Sequence, residues 1–79
     1  MSEPTLDAEI VGNVISYFRK NKGLSQEVLS GLANIGRTHL TAIENGKRKP
    51  NLETLYRIST ALNVKMSDIV KEIEKRIDT

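Results

Sequence analysis

The stretch that decides the fold is LSQEVLSGLANIGRTHLTAIENGKRKP, residues 24–50. Its apolar spacing and turn residues predict two short helices, at 26–33 and 37–45, joined by a connection of about three residues. So short a connection makes the helices cross steeply, which is the helix-turn-helix arrangement. Asn34 tolerates the positive φ that the turn needs, and Ile35 anchors the turn to the core.

The flanking residues continue the helical pattern. Apolar residues recur at steps of three and four and predict further helices at 8–21, 52–62 and 67–78, and no alternating run is long enough to predict a strand. The expected helix ends are Gly23, Asn34, Gly46 and Asn63, and the expected amino-terminal caps are Ser25, Asn51 and Ser67. We therefore predict an all-α, compact bundle of about five helices, with residues 1–7 as a flexible arm and 8–79 as one domain.

Composition limits the classes of function. The 79 residues contain no cysteine and carry a net charge of +2, which argues against disulfides and thiolate metal sites. No apolar run is long enough to cross a bilayer and the amino terminus does not resemble a signal peptide, so we expect a cytoplasmic protein without a membrane partner. Basic residues collect in Arg19-Lys20-x-Lys22 and Lys47-Arg48-Lys49. Such clusters suit phosphate contact, although a solvated surface is an equally simple interpretation.

The helix predicted at 37–45 has two different faces on a helical wheel. Leu40 and Ile43 share one face and must point inward. The opposite face carries Arg37, Thr38, Thr41, Ala42 and Asn45. These side chains can hydrogen-bond base edges and contact a thymine methyl group, and nine residues span about 13 Å, close to the roughly 12 Å width of the major groove. We predict base reading by Arg37, Thr38, Thr41 and Ala42; the alternatives are phosphate contact, surface filling or a simple spacer.

The same residues resemble a known family. The run is Leu24-Ser25-Gln26-Glu27-x-Leu29, then Ile35-Gly36-Arg37-Thr38-x-Leu40-x-x-Ile43-Glu44-Asn45-Gly46-Lys47-Arg48-x-Pro50, then Leu52-Glu53-Thr54-Leu55. It is similar to the Xre/Cro/C1-type helix-turn-helix repressors, with the lambda repressor-like DNA-binding fold, over about residues 9–70. Within that family, the Arg-Thr pair resembles the controller proteins of restriction–modification operons. The chain departs from the family pattern at Ser30, where alanine is usual, and at Asn34, where glycine is usual.

The resemblance implies roles for three residues outside the base-reading set. Gln26 is expected to contact a DNA phosphate while helping to hold the third helix. Arg19 and Glu44 are expected to form a structural ion pair, which would make Arg19 part of the scaffold rather than a DNA ligand.

Other polar residues near the helix-turn-helix have the chemistry of backbone contacts. We predict phosphate contact by the loop residues after the third helix and by one residue at its rim: Asn45, Lys47, Arg48, Lys49 and His39. The alternative is a solvated basic loop. His39 is the only histidine, and without cysteine or an acidic cluster it predicts neither a metal site nor catalysis. We therefore expect no enzyme activity, cofactor, metal or small-molecule ligand.

The last helix keeps apolar residues almost to its end, which suggests self-association. We predict a homodimer interface that includes Tyr56, Val70, Ile73 and Ile77; the alternative is that the tail packs back on the first helix. The sequence as a whole predicts a transcriptional regulator that binds a palindromic operator in double-stranded DNA as a homodimer. The alternative is a protein-interaction module such as an antitoxin-like subunit.

Overall fold

The computed structural model describes residues 3–78, and these residues contain five helices and no strand. The helices are α1 (Ala8–Asn21), α2 (Gln26–Ala33), α3 (Arg37–Glu44), α4 (Leu52–Ala61) and α5 (Met66–Ile77). The predicted all-α architecture of five helices is confirmed. Residues 1 and 2 of the predicted arm, and residue 79 of the predicted domain, lie outside the described residues.

Four predicted helix ends are wrong by one residue. Helix α3 ends at Glu44 and α4 at Ala61, while α5 begins at Met66, after the cap residue Lys65, and ends at Ile77. Ser67 therefore lies in the first turn and is not the cap. Within that turn, Asp68 Oδ2 accepts a hydrogen bond from the backbone N–H of the cap residue Lys65 at 3.3 Å.

The caps and the turn around the helix-turn-helix follow the prediction. Ser25 Oγ accepts a hydrogen bond from the Val28 N–H at 3.1 Å, and Asn51 Oδ1 accepts one from the Thr54 N–H at 2.7 Å. Asn34 closes α2 in the left-handed region, with φ at 55°. These local bonds satisfy backbone groups that the helix ends leave without an intrahelical partner.

One core joins all five helices. Helix α1 packs against α3 and α5, α2 packs against α3 and α4, and α4 packs against α5. The buried apolar side chains are Val11, Val14, Ile15, Leu29, Ala33, Leu40, Ile43, Leu55, Ile58, Leu62, Ile69 and Ile73. Leu52 shares the spacing of the α4 stripe but is 70% exposed, because it stands at the first residue of the helix, beyond the edge of the core.

Helices α1 and α3 are in close contact at Gly12. A Cβ atom built on Gly12 would collide with the carbonyl oxygen of Ile43 and lie 2.7 Å from that of Glu44. Real Cβ atoms do not come this close to backbone oxygens, so only glycine allows this separation of the two helices. The contact sets the position of the carboxyl-terminal end of α3.

Candidate nucleic-acid interface

Only one face of helix α3 is buried in the protein. Leu40 and Ile43 are fully buried, as the helical wheel predicts. Arg37 and Thr38 are exposed, and Thr41 and Ala42 are half-buried. The four residues predicted to read bases therefore lie on the side of α3 that solvent reaches. His39 is half-buried at the rim.

A buried ion pair fixes the end of α3 to the end of α1. Arg19 Nε lies 2.7 Å from Glu44 Oε2, and Arg19 Nη2 lies 2.9 Å from Glu44 Oε1. Arg19 Nη1 also donates to the Leu24 carbonyl oxygen at 2.8 Å. The hydrogen bond to Glu44 raises the pKa of Arg19 above its usual value, against the opposing effect of burial. The two residues that the resemblance paired thus form a bidentate contact inside the protein.

The ion pair continues into a chain of hydrogen bonds that reaches the exposed side of α3. Gln26 Nε2 donates to Glu44 Oε1 at 3.0 Å. Thr41 Oγ1 donates to Gln26 Oε1 at 3.0 Å. The first residue of α2 is therefore bonded to two residues of α3, and its amide group lies beside the predicted base-reading face.

The loop after α3 presents its basic side chains to solvent. Lys47 and Arg48 are exposed, and their backbone N–H groups both donate to the Ala42 carbonyl oxygen, at 2.9 and 3.3 Å. Asn45 is exposed at the carboxyl-terminal cap of α3. These bonds hold the loop against the end of α3, so two cations and an amide stand beside the exposed side of that helix.

Lys49 differs from its neighbours. Its Nζ donates to the Leu6 carbonyl oxygen at 3.1 Å. Its side chain also lines an apolar groove with Leu6, Pro50 and Ile77. The structure directs this ammonium group to the amino-terminal segment and does not bring it to α3, so Lys49 is a weaker candidate for phosphate contact than Lys47.

The predicted dimer residues do not behave alike. Tyr56, Val70 and Ile77 are exposed, but Ile73 is 5% exposed and belongs to the core. The prediction that Ile73 belongs to a dimer interface is wrong, because α5 packs back against α1 and α4 and buries this side chain within a single chain. Val70 and Ile77 line the apolar groove, which has a volume of about 250 Å³.

Sequence reasoning missed two features of this surface. The resemblance implied that Gln26 helps to hold the third helix, as its hydrogen bonds do, but its partners Thr41 and Glu44 were not identified, since a helical wheel shows which side chains share a face and not which atoms meet. Sequence reasoning also overlooked Val28 and Leu32, which are exposed on α2. Their spacing of four residues, offset from the buried stripe of Leu29 and Ala33, is the signal that would have revealed them.

Other kinds of site find no support in the described part of the chain. Among residues 3–78, no three histidine, aspartate or glutamate side chains are grouped as metal ligands would be. The helices of these residues are too short or too polar to cross a membrane.

Comparisons with known proteins agree with this geometry. Residues 15–69 match the helix-turn-helix family. Control protein C.MunI of Mycoplasma sp is 40% identical over 65 residues, which are 81% of this chain and 88% of that protein. The restriction-modification controller protein C.AhdI from Aeromonas hydrophila aligns with a TM-score of 0.78 at 29% identity, over 82% of this chain and 98% of its own. Wild-type C.Esp1396I, also a restriction-modification controller protein, aligns with a TM-score of 0.85 at 28% identity. The alignment covers 96% of this chain and 100% of that protein. The chain therefore belongs to the Xre/Cro/C1-type helix-turn-helix family of transcriptional regulators.

Proposed function

We propose that the protein binds a specific operator in double-stranded DNA, with α3 in the major groove. The observation that carries the proposal is the division of α3, whose Leu40 and Ile43 are buried while Arg37 and Thr38 are exposed. Exposed cations at Lys47 and Arg48 stand next to this face, where a groove-bound helix would meet phosphates. Arg37 has the donors for a bidentate contact to guanine O6 and N7.

Selection of bound oligonucleotides from a random duplex library tests this proposal. We expect enrichment of one operator, with Arg37→Ala weakening its binding by about 1–3 kcal/mol and relaxing the preference at one base position. Lys47→Ala should weaken all duplexes about equally and lower the slope of log K against log salt by about 1. Lys71→Ala, which changes an exposed lysine of α5, is the control. A chain that enriches no sequence contradicts the proposal.

We also propose that the active form is a two-fold homodimer built from α4 and α5. Exposed Tyr56, Val70 and Ile77 support it, together with the apolar groove between α5, α4 and the amino-terminal segment. A second copy would cover this surface and would set two α3 helices about one turn of DNA apart, roughly 34–36 Å. The operator would then be palindromic.

Two variants with equal exposure test the dimer. Ile77 and Val28 are both 47% exposed, but only Ile77 lies on the proposed interface. We expect Ile77→Lys to weaken dimerisation by about tenfold or more, because it introduces a charge and removes apolar contact from both copies. Val28→Lys should leave the mass in analytical ultracentrifugation unchanged. A wild-type chain that stays monomeric at tens of micromolar, or equal effects of the two variants, would contradict the homodimer.

A protein-interaction module is the second candidate, and the exposed Val28 and Leu32 on α2 favour it. The dependence of binding affinity on salt concentration distinguishes the two functions. Binding to DNA should weaken steeply with salt, with log K falling by about 0.9 for each phosphate neutralised per tenfold rise in concentration. Capture of a protein through Val28 and Leu32 would depend little on salt and would be lost in Leu32→Asp.

A further inference from the structure

The hydrogen bonds that join Glu44 to Thr41 through Gln26 have only one possible direction. A carboxylate accepts hydrogen bonds and donates none, so the atom of Gln26 that faces Glu44 Oε1 at 3.0 Å is the amide nitrogen. Arg19 holds that carboxylate with two bonds, of 2.7 and 2.9 Å. The amide of Gln26 therefore cannot be reversed without turning its oxygen toward a buried negative charge.

The orientation of Gln26 decides what Thr41 can do. With its nitrogen on Glu44, the amide presents Oε1 to Thr41 Oγ1 at 3.0 Å. A carbonyl oxygen only accepts, so the hydroxyl group of Thr41 must donate to it. A hydroxyl group has a single proton, and what remains to Thr41 is its capacity to accept.

We infer that Thr41 reads the operator as a hydrogen-bond acceptor and selects a base with an exocyclic amino group; this inference rests on the proposed function. Phosphate oxygens are acceptors, as are guanine O6 and N7 and thymine O4, and an acceptor-only hydroxyl group bonds none of them. The donors in the major groove are adenine N6 and cytosine N4. On the strand that Thr41 faces, adenine or cytosine is therefore favoured over guanine or thymine.

The residues behind Thr41 act as positioning residues for this contact. Glu44 and Gln26 do not read the base themselves in this scheme, but they set the direction of the bond that Thr41 makes. Arg37 has only donors and so seeks acceptors such as those of guanine. Two residues of one helix face would thus read bases with opposite hydrogen-bonding character.

The test compares variants of Thr41 on the selected operator with each base pair substituted in turn. Wild type should show one position at which adenine or cytosine binds about two- to tenfold more tightly than guanine or thymine, the range that one net hydrogen bond supplies. Thr41→Val should abolish that preference and Thr41→Ser should retain it. Where the favoured base is adenine, a purine without the amino group should bind wild type as weakly as guanine does.

A variant of Gln26 tests whether the base preference depends on the direction of the Thr41 hydrogen bond or only on side-chain packing. Gln26→Met removes the carbonyl acceptor and releases the proton of Thr41, so the preference for adenine or cytosine should collapse while the base position read by Arg37 keeps its preference. Circular dichroism confirms that each variant is folded. Operator binding in which no position depends on Thr41, or in which Thr41 favours guanine or thymine, overturns the inference and leaves the proposed function intact. Failure to bind any duplex overturns both.

Discussion

Arg19→Ala is expected to lower the free energy of unfolding by about 3–5 kcal/mol, because it leaves the Glu44 carboxylate buried without its ionic partner. Small domains have a total stability of only about 5–15 kcal/mol. The variant should therefore unfold at a much lower urea concentration than wild type. Urea titration followed by circular dichroism at the helical band measures the difference.

Two comparisons show where that loss comes from. Arg57→Ala removes an exposed ion pair with Glu53, of 2.9 Å, and should cost less than about 1 kcal/mol. Replacing Arg19 and Glu44 together by methionine should recover much of the stability, because no buried charge is then left unpaired. If Arg19→Ala melted like wild type and lost only affinity for DNA, Arg19 would be a DNA ligand and not part of the scaffold.

Gly12→Ala is the second large effect that we expect. The new methyl group would meet the carbonyl oxygens of Ile43 and Glu44, and backbone atoms cannot rotate away as a side chain can. Overpacking of this kind costs about 1–3 kcal/mol. Because α3 must move away from α1, affinity for the operator should fall as well. Thermal unfolding and operator titration measure the two losses.

Gly31 provides the matched control, because it also lies within a helix but, apart from its chain neighbours and the backbone of its own helix, has no heavy atom within 4 Å of the point that a Cβ atom would occupy. Alanine there should raise the stability by about 0.5–1 kcal/mol through its better helix propensity. The same substitution should thus have opposite signs at the two sites. A Gly12→Ala variant as stable as Gly31→Ala would contradict the close helix contact.

Local rules predicted most of the fold. Asn34, Ser25 and Asn51 act through backbone groups within three residues, so the order of residues alone is enough to identify the turn and caps. The buried positions Leu40 and Ile43 follow from helical spacing. Ser67 failed as a cap because α5 begins one residue earlier than predicted, at Met66, which places Ser67 inside the first turn.

Features that depend on distant residues were harder to predict. Ile73 is buried by helices earlier in the chain, and the spacing of residues within α5 does not reveal that burial. The bonds from Gln26 to Thr41 and Glu44 join residues 15 and 18 positions apart. The family resemblance supplied the Arg19–Glu44 pair, which periodicity alone would not have found.

The packing of α1 has a consequence for biosynthesis. The partners of α1 are α3 and α5, and Arg76 of α5 lies 5.3 Å from the ring centre of Tyr17 on α1. While the ribosome is still translating, the apolar stripe of α1 has left the exit tunnel but α5 has not yet been made. At about 5–20 residues per second, α1 waits several seconds for its last partner. The nascent chain should therefore remain sensitive to proteases until α5 has also left the exit tunnel.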